Sequence, residues 1–102
     1  MARYLQLVVL TDKGRKNFNE NPDWIKEELD REIELLGGKI VTQYALLGQY
    51  DFINIIEAPS DEVAAKIAIK LSATGTVNPT TLAAIPLESL VQTLRKSSQP
   101  DW

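Results

Sequence analysis

Gly48-Gln49-Tyr50-Asp51 stands between two apolar runs and places a phenol beside a carboxylate. A tyrosine there could donate to an oxyanion, and an aspartate could take a proton. Such groups would have to carry any catalysis, because the chain contains no histidine and no cysteine. The commonest general base is therefore missing. Thiolate nucleophiles, disulfides, zinc sites of the usual Cys/His kind and histidine-ligated haem are excluded as well. A cofactor-independent enzyme acting on a small hydrophobic or aromatic substrate would draw on Tyr44, Tyr50 and Asp51. A single aspartate is a weak catalytic signal, and the same four residues read directly as a turn. Gly48-Gln49 fits a two-residue type II′ connection, which wants glycine first. Asp51 can accept backbone N–H bonds there. The residues point to no catalytic set, no cofactor and no metal.

A second constellation is made of amides. Gln6 and Asn54 fall inside otherwise apolar runs, and Gln43 or Tyr44 joins them according to hairpin register. An even connection puts Gln43 on the face of Asn54, and an odd one puts Tyr44 there. Few convergent polar groups within apolar walls are what a small-ligand pocket needs. Equally, such amides can bond to one another or to water and simply satisfy a buried core.

The chain must position these groups with 102 residues, enough for one domain. It is 44% hydrophobic and 25% charged, with a net charge of -3. An acidic balance argues against nucleic acid and against an anionic membrane surface as partner. No apolar run is long enough to cross a bilayer, and the N-terminal apolar run is too quickly followed by charge for a signal peptide. A cytoplasmic protein is expected.

Arg3–Thr11 reads as a buried strand, and Thr11-Asp12-Lys13-Gly14 as a turn or cap before a short helical stretch. Asn21-Pro22 opens the main helix, expected over 22–36. Ile25, Leu29, Ile33 and Leu36 form its stripe, and Gly37-Gly38 ends it. Trp24 lies off that stripe and reads as a packing plug or an interface anchor. Strands follow at 39–48 and 51–58, then a helix capped by Ser60-Asp61 and a short strand at 80–86. Glu57 reads as a solvated strand end. Leu87, Leu90, Val91 and Leu94 lie on one side of a last helix, and residues 98–102 form a polar tail. The order β-α-β-β-α-β is the ferredoxin-like pattern of the α+β class: a four-stranded antiparallel sheet with two helices on one face. Residues 1–86 are expected to form this domain and 87–97 a helical extension.

Helices on one face leave the other open. Leu5, Leu7, Val9, Ile53 and Ile55 are the purely apolar phase of the central strands, and this phase is assigned to the helices. Tyr4, Gln6, Val8, Leu10, Phe52, Asn54 and Ile56 then fall on the open face. That is too much apolar surface to leave in water. A second subunit, sheet against sheet, would cover it. Tyr4, Val8, Leu10, Phe52 and Ile56 are the expected contacts, with Gln6, Asn54 and Gln43 or Tyr44 in the space between. The stripe of the last helix is expected to dock on a neighbouring subunit or cover a sheet edge.

The ordered set TDKG, LLGGKIVTQYALL, GQYDFINIIEAPSDEVAAKIA and TGTVNPTTLAAI resembles the GYD domain family over residues 4–85. Gly48, Tyr50 and Asp51 supply the G-x-Y-D signature. The resemblance implies a dimeric α/β barrel and leaves the biochemical role open; the last helix, 87–96, lies beyond it. The hairpin is also similar to effector-binding domains of Lrp/AsnC-type regulators, which hold small molecules between subunits. The leading expectation is thus a small-molecule-binding or sensing module, a homodimer or higher even oligomer with a small organic ligand between facing sheets. A cofactor-independent monooxygenase- or isomerase-like enzyme and a structural assembly subunit are the alternatives.

Overall fold

The computed structural model describes residues 1–97. Strand β1 (Ala2–Leu10) leads into α1 (Asp12–Glu20). Next comes α2, a π-helical stretch Ile25–Asp30 continuing as an α-helix over Arg31–Leu35. Strands β2 (Lys39–Ala45) and β3 (Phe52–Ala58) follow, then α3 (Asp61–Ser72), β4 (Val77–Ala84) and α4 (Leu87–Ser97). The four strands form one antiparallel sheet in the order β2-β3-β1-β4. This is the expected ferredoxin-like α+β fold. Strand β4 begins three residues earlier than the sequence suggests and takes in Asn78-Pro79. Proline is tolerated because β4 is an edge strand, where one side of the backbone needs no ladder bond.

The two sheet faces are exchanged relative to expectation. Tyr4, Val8, Leu10, Phe52 and Ile56 are buried with Trp24, which precedes α2, with Leu29 and Ile33 of α2 and with Ala64, Ile67 and Leu71 of α3. They form the core under the helices and cannot be an oligomer interface. Gln6 and Asn54 are buried on that same side. Leu5, Leu7, Val9, Ile53 and Ile55 are half-buried and occupy the open face. Hydrophobicity could not separate the two phases, since both are rich in aliphatic residues. The polar residues decided it: Tyr4 bonds to Asp61 on α3, and Gln6 and Asn54 link through Gln43 to Asp30 on α2.

Helix α2 explains Trp24. A π-helical turn closes at i+5 rather than i+4. Trp24 and Leu29, five apart, therefore share a face, and Ile33 follows one ordinary turn later. Trp24 is thus a core plug, 9% exposed, although an α-helical wheel leaves it off the stripe. Asn21 starts the segment by accepting the Asp23 N–H at 3.2 Å. Ser60 caps α3 by accepting the Val63 N–H at 3.2 Å.

The Thr11-Asp12-Lys13-Gly14 turn ties the end of β1 to the α3–β4 connection. The Thr11 N–H donates to the Thr76 carbonyl at 2.9 Å, and its hydroxyl donates to the Gly75 carbonyl at 2.8 Å. The same hydroxyl caps α1 by accepting the Gly14 N–H at 3.1 Å. Gly14 is packed so closely that a Cβ would lie 2.1 Å from the Thr76 oxygen.

Candidate functional site

The amides do converge, but under the helices. Register aligns Gln43, Asn54, Gln6 and Thr81 as direct neighbours across all four strands. Gln43 Nε2 donates to Asn54 Oδ1 at 2.8 Å, and Asn54 Nδ2 donates to Gln6 Oε1 at 3.2 Å. Gln43 Nε2 also donates to Asp30 Oδ1 at 2.8 Å, which fastens the row to the π-helical stretch of α2. Burial raises the Asp30 pKa above the usual carboxylate value, opposed by the Gln43 hydrogen bond. The row is largely closed to solvent: Gln6 is 0% and Asn54 1% exposed. Within the row, Gln43 lines a slot of ≈ 180 Å³ beside β2 that is also lined by Phe18, Ile25, Tyr44, Asp51 and Phe52. The set expected between facing sheets is therefore a buried network holding α2 to the sheet.

Register supports the even hairpin connection, since Gln43 pairs with Asn54 and Tyr44 with Ile53. Tyr44 consequently stands on the open face, away from the amides, and is 58% exposed. The connection itself is longer than the two-residue turn expected, running from Leu46 to Asp51 between β2 and β3. Gly48 takes φ 145°, a region that favours glycine, so its place in the signature is conformational. Asp51 has a defined task. Its Oδ2 accepts the Leu10 N–H at 2.7 Å, its own N–H donates to the Val8 carbonyl at 2.9 Å, and its carbonyl accepts the Leu46 N–H at 2.8 Å. The aspartate prolongs the β1–β3 ladder with a side-chain oxygen. Tyr44 and Asp51 line the same slot, whereas Tyr50 is half-buried outside it. The three residues expected for catalysis do not converge.

Tyr4 is also spoken for. Its hydroxyl donates to Asp61 Oδ1 at 2.5 Å, joining β1 to the start of α3. That bond, with burial and the Asp61 charge, pushes its pKa up to about 12. Glu57 pairs with Arg3 at 3.5 Å on the rim of the open face. Among the described residues no group of three or more acidic side chains could hold a metal. No helix among them is long and apolar enough to cross a membrane.

Large apolar side chains remain exposed or half-buried at the surface. The open face presents Leu5, Leu7, Val9, Ile53 and Ile55 in one block on the two central strands, flanked by Tyr44 and Leu82. On α4, Leu87, Leu90 and Leu94 are exposed, as is Leu47 at the hairpin tip. Val91 is half-buried.

A family model for the GYD domain matches residues 4–94. This chain belongs to the GYD domain family. The match runs through most of α4, so the last helix lies inside it and not beyond it. A Thermus thermophilus protein named "Glutamine synthetase and cystathionine beta-lyase binding protein" is 39% identical over 98 residues, covering 93% of this chain and all of the relative. The crystal structure of MtbAldR is similar with a TM-score of 0.62 at 20% identity. The match covers 83% of this chain and 52% of that chain, about half its length. This likeness bears on the fold alone.

In this GYD domain Gly48 and Asp51 of the signature shape the hairpin backbone. Sequence reasoning missed Asp30 and Asp61, the helix partners of Gln43 and Tyr4, and Thr81, the ladder neighbour of Gln6 on the edge strand. From sequence, Asp61 reads as part of the Ser60-Asp61 start of a helix and not as a partner of Tyr4. Nothing in spacing alone joins residues 13 to 57 positions apart.

Proposed function

We propose that this protein is a homo-oligomeric binding protein whose partners are other proteins, metabolic enzymes first among them. The observation that carries this reading is the contrast between its polar and apolar groups. The amides are closed within the core, while an aliphatic sheet face and an amphipathic helix stripe stand uncovered. Apolar patches of that kind mark interaction surfaces. The sheet face suits a second copy, because two identical twisted sheets can pack on one another about a two-fold axis. Leu87, Leu90, Val91 and Leu94 of α4 suit a neighbouring subunit or the partner enzyme. The name of the Thermus thermophilus relative supports an enzyme as partner, and makes glutamine synthetase and cystathionine beta-lyase the two to test first.

The experiment is native mass spectrometry of the protein alone and after mixing with each purified enzyme. An even oligomer that adds its mass to one enzyme supports the reading. A monomer at micromolar concentration that binds neither enzyme overturns it. An even oligomer carrying an extra small mass would favour a ligand held between the sheets, near Tyr44, the one expected ligand residue on that face.

A further inference from the structure

The polar row is unfinished at one end. Gln6 Oε1 accepts from Asn54, but Gln6 Nε2 is buried and has no hydrogen-bond partner. Its direct neighbour across the β1–β4 ladder is Thr81, whose Oγ1 is the other buried side-chain atom without a partner. These are the two such atoms among the described residues, and they fall on adjacent strands at one register position. A buried amide N–H left unbonded is among the costlier defects a core can hold. Flipping the Gln6 amide does not cure it, because Asn54 would then present a donor to a donor. The fault lies between Gln6 and Thr81.

We infer that this position is a binding site for one resident water. Gln6 Nε2 donates to the water oxygen, and the water donates to Thr81 Oγ1. Water is the ligand class that fits: it accepts from an amide and donates to a hydroxyl in one atom's space, and buried waters occur at about one per 27 residues. Immobilising a water costs less than leaving both groups unpaired. With it, the network runs unbroken from Asp30 on α2 through Gln43, Asn54 and Gln6 to the edge strand β4. The sequence has a polar residue at every strand of this row, which an otherwise aliphatic core does not require.

The test is NMR of the intact protein at neutral pH, looking for cross-relaxation between water and the Gln6 side-chain amide protons with the sign of a long-lived bound water. We expect that signal in the natural protein and in Thr81→Ser, which keeps the hydroxyl. We expect its loss in Thr81→Val, which keeps the shape. Absence of the signal in a folded natural protein overturns the inference. So does its persistence in a folded Thr81→Val variant, or an atomic-resolution structure with Gln6 bonded directly to Thr81. Should Thr81→Val fail to fold, the natural protein and Thr81→Ser decide the matter.

Discussion

Asp51 of the G-x-Y-D signature and Gly14 of the TDKG turn illustrate how single residues act on the backbone. The Asp51 carboxylate serves the Leu10 N–H at the point where β1 leaves the sheet. Asp51→Ala is expected to destabilise the fold by about 1–3 kcal/mol, whereas Asp51→Asn, which keeps an acceptor oxygen, should cost less. Urea unfolding checks both. Gly14→Ala must push the Thr76 carbonyl away, with an expected cost of about 1–3 kcal/mol. Asp30 gives a pH signature. Burial raises its pKa, so the folded state disfavours its ionised form. Relative to Asp30→Asn, which keeps the oxygen for Gln43, the natural protein should lose stability as pH rises from 3.8 through the raised value. Melting temperatures of the pair at acid and neutral pH test the sign. Tyr4 has the same sign at the other end of the scale. Its contribution is complete below pH 10 and is lost as pH rises toward about 12.

Among the elements, α2 and α4 stand at opposite extremes. The π-helical stretch of α2 brings Trp24 and Leu29 together and sets Asp30 over Gln43, so its irregular winding serves both packing and hydrogen bonding. Helix α4 presents its leucines outward. The double variant Leu90→Asp, Leu94→Asp should therefore change the unfolding free energy by no more than about 0.5 kcal/mol, as substitutions at exposed sites usually do. If α4 docks on a neighbour, the same variant lowers the assembled mass or abolishes enzyme binding. An unchanged mass and unchanged binding would remove α4 from the interaction surface.

At the level of the whole molecule, the open sheet face is the decisive surface. Leu7 and Ile55 lie near the middle of that face, on its two central strands. Lysine at either position can lift its charge to solvent on an isolated protomer. In a two-fold assembly it would be buried opposite its own copy. Leu7→Lys or Ile55→Lys should yield a folded monomer, read by sedimentation and circular dichroism. An intact oligomer would mean the sheets do not face each other.

The sequence by itself determined the order of elements, the Ser60 cap of α3 and the antiparallel pairing. Each follows from local chemistry: caps and prolines act on adjacent backbone, and alternation has period two. It also determined that one sheet face must be left apolar. Which face went to the helices was settled only by the tertiary structure. Both phases of β1 and β3 carry aliphatic side chains, so burial of either would gain similar hydrophobic free energy. The difference lies in Tyr4, Gln6 and Asn54, which can be buried because the folded chain supplies Asp61 to the first and links Gln6 and Asn54 through Gln43 to Asp30. Those partners sit on helices far along the chain, and a hydrogen bond between distant residues leaves no periodic trace in the sequence.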